Sequence, residues 1–412
     1  MKKLISLILT AVISLSVLCS CATSPLGEDL ASSVKADEDT TYVYNKNETS
    51  APTSYTSFQS AAISFSTKIL SSMLEEDDNA VYSPAALYYQ LSLLQNAMSG
   101  ATQNSLKKLT GENAPVDDIN DGSGYFFSRL ETLSNFNKNR YIDINGDIIF
   151  NDDVSVSQNF LLKNADFYKE GIFRLSFADN FFTDKVSSYF KTKTNNKTRF
   201  KLSPDKSCGI TMFNSAYMSD SWLDGYSQEK TSSGKFNGVK GAQNAEFLNS
   251  VEYYLENKDC EGFVKDFKYT PAKFVALLPK SGDVKKLASK LNSSAFLNVM
   301  DSMSVFKTCD TYIPKFSKKD TVNFADNKSL RFLKNEGNYS ALSYGSKTKV
   351  SDIIQSFEIN ITNGGIGNGK ITSSASTKKQ PDKTVKLNRP FIFAVIDNES
   401  FIPVFMGAIQ NV

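Results

Sequence analysis

Two adjacent lysines, Lys378 and Lys379, followed by Gln380 and Pro381, are the residues of this chain most open to chemistry. Their chemistry is that of a substrate. A lysine before a peptide bond suits the acidic specificity pocket of trypsin-like proteases, and Ser373 to Thr377 offers an elastase-like site just upstream. Both sites lie within Asn363 to Lys386, a stretch with almost no large apolar side chain that opens Gly364-Gly365-Ile366-Gly367-Asn368-Gly369. Loops longer than about 12–15 residues are uncommon in compact domains and are usually functional or disordered. Catalysis by the chain itself is tightly bounded. It has 0 histidines, which removes Ser-His-Asp and Cys-His nucleophiles and any histidine-containing zinc site.

A bait loop needs firm elements on both sides. Before it, Phe357, Ile359 and Ile361 alternate with Glu358, Asn360 and Thr362, the period of a half-buried strand. After it come two strongly apolar strands, Arg389-Pro390-Phe391 to Ile396 and Phe401 to Phe405-Met406-Gly407. Near the start, Phe58, Ala62, Phe65, Ile69 and Met73 predict a helix with one core face. Ser83 as cap and Pro84 at the first helical position open another, carrying Leu87, Leu91, Leu94 and Met98. Between these ends, Tyr141–Phe150, Gly171–Phe177, Thr211–Met218 and Phe274–Pro279 read as strands, and Phe160–Tyr168 and Val186–Phe190 as short helices. No repeat or second shift of composition divides residues 56–412, which read as one large domain.

The strand, the glycine-led loop, Arg389-Pro390-Phe391 and Phe405-Met406-Gly407 together resemble the reactive-centre region of the serpins, suicide-substrate inhibitors of serine proteases. Phe274–Pro279 and Tyr312-Ile313-Pro314-Lys315-Phe316 resemble two further strands of that family. The resemblance covers about Phe58 to Val412. It implies a mixed α/β serpin fold with three β-sheets, about eight or nine helices and an exposed reactive-centre loop. Counting back from Pro390 without a gap puts the family's hinge glycine on Gly365 and the attacked bond at Lys379–Gln380, with Lys378 as a neighbouring option. It also implies a sheet-opening region at Asn79, Ser83, Pro84, Leu91, Thr102, Asn214 and Trp222, with Ala86 where the family carries a second serine. The family's lysine at Lys315 often pairs with a glutamate that is Asn363 here, so that ion pair is expected to be missing.

The family's mechanism is a trap without catalysis by the inhibitor and without a cofactor. A protease becomes esterified to the cut loop, which inserts into the main sheet as an extra strand. The hinge, from Gly364 to Lys370, departs from the inhibitory pattern of Gly-Thr-Glu-Ala-Ala-Ala at Ile366, Asn368 and Lys370. Two functions follow: an inhibitor of trypsin-like proteases, or a non-inhibitory serpin used for binding or as a sacrificial substrate. Two placements of Lys370 also follow. Either Ile366, Asn368, Lys370 and Thr372 turn inward after insertion, or a turn at Gly364-Gly365 shifts the parity and puts Ile371 inside.

The N-terminus reads as an export signal. Lys2 and Lys3 precede an apolar run from Leu4 to Leu18, and Leu18-Cys19-Ser20-Cys21 resembles a bacterial lipoprotein cleavage box. Residues 1–20 are then a signal peptide and Cys21 the lipidated residue; a plain secretory signal is the alternative. Residues 21–55, rich in Ser, Thr, Asp, Glu and Asn, read as a flexible, lipid-anchored linker. The chain is expected outside a bacterial cell membrane as a monomer, with a target serine protease as covalent partner. A net charge of +2 on 412 residues gives no case for nucleic acid. Cys208, Cys260 and Cys309 remain, an odd set in which at least one thiol must be free. Replacing Cys21 with alanine is expected to release the exported protein from the membrane fraction, read by fractionation and blotting; undiminished membrane retention would point to the secretory alternative.

Overall fold

The structure is a computed structural model that describes residues 23–24, 26–37, 44, 50–75, 79–111, 113–136, 139–198, 202–372, 380–381 and 383–412. The elements that bear on the loop begin with β1 (Gly27–Asp29), α1 (Tyr55–Met73), β2 (Ala80–Tyr82) and α2 (Pro84–Gln95). They continue with α3 (Val116–Ser134), β3 (Ile142–Phe150), β4 (Gly171–Arg174) and α4 (Phe182–Lys193). The middle contributes β5 (Ile210–Met218), β6 (Asp220–Ser221), β7 (Gly241–Glu256), β8 (Cys260–Asp266) and β9 (Ala272–Pro279). The last part holds β10 (Thr308–Pro314), β11 (Phe316–Asn323), β12 (Val350–Ile361) and β13 (Gly365–Ile366). It ends with β14 (Lys383–Lys386), β15 (Phe391–Asp397) and β16 (Pro403–Ile409).

Eight α-helices among the described residues surround two nine-stranded ladders. Residues 23–24 form the border of the first, which continues β1-β4-β3-β5-β12-β13-β6, with β11 also paired to β12. The second runs β14-β10-β7-β8-β9-β15-β16-β2. The long strand β7 pairs first with residues 231–238 and later with β10 and β8, so the expected second and third sheets are joined through it. The expected apolar strands after the loop are β15 and β16, buried at every position. The helix face predicted from Phe58, Ala62, Phe65, Ile69 and Met73 is buried as α1. Every residue of α2 is buried because it runs beneath the first sheet and against β16. Ser83 caps it, its Oγ accepting from Ala86 N at 3.3 Å.

The N-terminal segment differs from expectation. Residues 26–37, read as part of a flexible linker, instead extend the first sheet at its outer edge: Glu28 and Asp29 of β1 pair antiparallel with Arg174 and Phe173 of β4. The Leu30 amide donates to Ile172 O at 2.8 Å, and Glu28 pairs with Arg174 at 2.7 Å. Leu26, wholly buried, joins an apolar cluster with Ile149, Phe173, Phe182 and Phe213. The physical reason is that an open strand edge recruits another strand through backbone groups, which polar composition does not report. Two leucines supply the apolar anchorage. Leu26→Ala is expected to lower the unfolding free energy by about 2–4 kcal/mol, by the usual cost of truncating a buried leucine, in denaturant melts; an unchanged midpoint would mean that the edge strand adds nothing to the fold.

Candidate functional site: a seam in the first sheet and the hinge above it

The centre of the first sheet is a seam. Strands β5 and β12 lie side by side in parallel, from Ile353 opposite Met212 to Glu358 opposite Tyr217. Parallel pairs are slightly weaker per residue than antiparallel ones, and amide side chains tie this pair together from below. Gln355 of β12 donates from Nε2 to Asn214 Oδ1 of β5 at 2.7 Å and to Ser83 O at 2.9 Å. Its Oε1 accepts from Ser83 N at 2.7 Å. Ser83 Oγ donates to Val404 O at 2.7 Å, tying the start of α2 to β16. Asn214 Nδ2 donates to Gln90 Oε1 of α2 at 3.0 Å, and Gln90 Nε2 donates to Phe213 O at 2.6 Å and to Asp147 O at 2.9 Å. All of these side chains are buried, so each lost partner leaves an uncompensated polar group.

Above Tyr217 the seam opens, and the start of the loop fills it. Ile366 of β13 pairs antiparallel with Ile361 of β12, and Gly365 and Ile366 pair with Ser221 and Asp220 of β6. Ile366 and Ile361 are both buried. The glycines around them serve close backbone packing. A Cβ on Gly365, where φ is +156°, would lie 1.9 Å from Asp220 O, and one on Gly369 would lie 2.2 Å from the same oxygen. Gly367 has φ +63° and faces Met218 O. Asn368 N donates to Ser219 Oγ at 3.2 Å and Lys370 N to Ser221 Oγ at 2.9 Å. Strand β6 is itself held by the buried Asp220 carboxylate, which accepts from Thr270 N at 2.8 Å. Trp222 closes the corner: it is buried, stacks on Phe267 at 4.8 Å, and donates from Nε1 to Thr362 O at 3.0 Å. Behind it Lys265 is buried with Glu252 at 2.6 Å.

The sequence-named residues divide accordingly. Ser83, Pro84, Leu91, Asn214 and Trp222 sit under or beside the seam, and Gly364 to Lys370 form its cap. Asn79 lies elsewhere, bonding the C-terminal backbone through Gln410 N, Asn411 N and Asn411 O. Thr102 is on the helix Gly100–Thr110, where its Oγ1 accepts from Asn338 N, away from the seam. Lys315 pairs with Glu246 at 2.5 Å, while the Asn363 carbonyl accepts from Tyr226 N at 3.2 Å. The Lys370 side chain is exposed in this state, as is Gln380. Cys21, residues 1–20, Ser373 to Thr377, Lys378 and Lys379 lie outside the described residues. Cys208, Cys260 and Cys309 are buried thiols that form no disulfide with one another, and burial pushes the Cys260 thiol up to about 12. Sequence reasoning missed Gln355, Gln90 and Asp220. The first carried a readable signal, since Gln355 continues inward the alternation of Phe357, Ile359 and Ile361.

Two buried carboxyls adjoin the clasp. Glu170 accepts from Gln90 Nε2 at 3.3 Å, and burial, then the nearby Asp147 charge, pushes its carboxyl up to about 8. Burial pushes Asp147 up to about 6 despite Lys193, which binds both its oxygens at 2.7 Å. A carboxyl raised in the native state holds a proton that the unfolded chain releases from about pH 4.5. The native state therefore loses stability as pH rises from that value through about 8. Glu170→Gln, which cannot ionise, is expected to raise the unfolding free energy on the order of 2–4 kcal/mol near pH 9 and little at pH 5. Equal effects at both pH values would mean that ionisation of Glu170 is not what destabilises the wild type.

Comparison with known proteins agrees with this geometry. Residues 60–412 match the family described as serpin, serine protease inhibitor. An uncharacterized serpin-like protein of fowlpox virus is 24% identical over 349 residues, covering 80% of this chain and 94% of the viral one. Serpin A3-6 of Bos taurus is 20% identical, over 82% of this chain and 84% of its own. Among solved structures, the thermophilic serpin tengpin in its native state superposes with a TM-score of 0.78 at 24% identity, covering 93% of this chain and 99% of tengpin. Human thyroxine-binding globulin complexed with thyroxine superposes with a TM-score of 0.72 at 17% identity, over 87% and 99% of the two chains. A parallel seam clasped from below, a tryptophan-held corner and a loop seated at its top are thus the working parts of a family member: the chain is a serpin.

Proposed function

We propose that this serpin is a suicide-substrate inhibitor of serine proteases with trypsin-like preference, cut at or near Lys379–Gln380. The protease serine attacks the Lys379 carbonyl, the amine of Gln380 leaves, and an acyl ester joins the two proteins. The freed loop then enters the seam as an antiparallel strand and drags the protease with it. The observation that carries this reading is the seat of Gly365 and Ile366 between β12 and β6, the first step of such an insertion taken before any cut. Continuing the register of Ile366 with Ile361 sets Asn368 against Ile359, Lys370 against Phe357 and Thr372 against Gln355. Those partners are all buried, which supports the inward placement of Lys370 over the shifted one. Insertion would replace one parallel pairing by two antiparallel ones, and Thr372 would arrive where Gln355 now holds Asn214.

The second reading, a serpin that is cut without trapping, is favoured by the same register. An ammonium carried inward costs several kcal/mol unless it loses its proton or reaches out along its stem. Slow insertion gives the ester time to hydrolyse. The lipid anchor at Cys21 completes the proposal and puts the inhibitor on the outer side of a bacterial membrane. The test is a denaturing gel of the protein mixed with trypsin, run at several molar ratios. A covalent band at the summed mass is expected, and Lys370→Ala is expected to lower the number of inhibitor molecules consumed per trypsin inactivated. Cleaved protein with no covalent band in either form would establish the substrate reading instead.

A further inference from the structure

A cavity of about 290 Å³ opens beside the upper end of β3, on the edge away from β5, where β4 begins to pair only at Asp147. Its floor is the Glu170 carboxylate, with only 5% of the residue exposed. The carboxylate is accommodated by a glycine: a Cβ on Gly146 would lie 2.0 Å from Glu170 Oε1. Its single hydrogen bond is the 3.3 Å contact from Gln90 to Oε2, so Oε1 has no donor. Two ammoniums line the cavity, Lys169 and Lys193, and Lys193 is already held by both oxygens of Asp147. A second acceptor in the wall, Asn135 Oδ1, is buried without a hydrogen-bond partner. The rest of the lining mixes aromatic rings, with Tyr89 and Phe127 stacked at 3.6 Å and Phe167 nearby, with the carboxyl side chains of Glu131, Asp143 and Asp166.

We infer that this cavity is a binding site for a small organic cation, a primary ammonium on a short aryl or alkyl tail. Glu170 Oε1 and Asn135 Oδ1 are the acceptors offered to a ligand, and an ammonium brings several donors to them where a hydroxyl brings one. The Glu170 carboxyl holds a proton below about pH 8, and an ammonium that takes that proton's place leaves the carboxylate neutralised, while the aromatic walls add attraction for a cation and accept an apolar tail. The inference is independent of whether the loop traps a protease.

The test uses the intact protein with 2-phenylethylamine and its neutral analogue 2-phenylethanol as probes, followed by saturation-transfer NMR and calorimetry. The amine is expected to bind saturably and at least tenfold more tightly than the alcohol. Glu170→Gln is expected to abolish that preference while retaining the near-ultraviolet circular dichroism of the wild type. Equal binding of amine and alcohol, no saturable binding of the amine, or an amine preference that survives in a folded Glu170→Gln protein would each overturn the inference. The comparison of the two probes on the wild-type protein decides the matter even if the variant does not fold.

Discussion

The pairing of β5 with β12 is the constraint on which the rest of this molecule depends. Both strands point the same way, and each has an edge that would pair more favourably with an antiparallel neighbour. Under the proposed trap, the alternative neighbour is the loop, which cannot enter while it is uncut. The side chains beneath them are chosen to match. An apolar residue at position 355 would favour a closed seam equally well and resist parting only through packing. A glutamine bonded to Asn214, Ser83 N and Ser83 O instead makes a clasp with directional, exchangeable partners. A hydrogen bond contributes a net of about 0.5–1.5 kcal/mol, whereas leaving its buried partner unsatisfied costs about 1–3 kcal/mol. The clasp therefore opens only when something arrives to satisfy both sides.

The glycines of the hinge acquire a meaning from the same geometry that their flexibility alone does not supply. Gly364, Gly365, Gly367 and Gly369 lie against backbone atoms of the end of β5, of β6 and of one another, at distances that leave no room for a side chain. They allow a two-residue strand to sit in a gap too narrow for an ordinary one. The contribution of Ile366 is the opposite, an apolar side chain that fills the core beneath the gap. Small residues on the flanks and one large residue at the centre make a plug that is tight without being wide.

Much of this was legible from the residues in order. The alternation ending at Ile361 and the Ser83-Pro84 helix start report local geometry, and both were matched, whereas the polar stretch from Asn363 to Lys386 begins and ends in the short strands β13 and β14. What stayed hidden was pairing between distant polar groups. Gln90 and Gln355 are ordinary residues for a helix and a strand, and only their neighbours across the fold make them a clasp. Lys315 could be expected to lack its partner at Asn363, but nothing nearby in the chain points to Glu246. The edge strand β1 was missed because its bonds come from the backbone, to which the polar side chains of Gly27–Asp29 are indifferent.

That edge strand changes the mechanics of an anchored protein. With Cys21 lipidated as proposed, only five residues lie between it and Gly27, a reach of roughly 20 Å even when fully extended. A linker running to residue 55 would let the body swing and tumble over a wide hemisphere. A leash this short grafts the outer border of the first sheet next to the lipid headgroups and removes most of the rotational freedom of the body. Enzymes arriving from solution would meet the loop in a restricted range of attitudes, and a partner on the same membrane would be presented with it differently from one that is not. The bond made by Glu28 and Asp29 to the edge of a sheet thus becomes a matter of how the whole molecule stands on a surface.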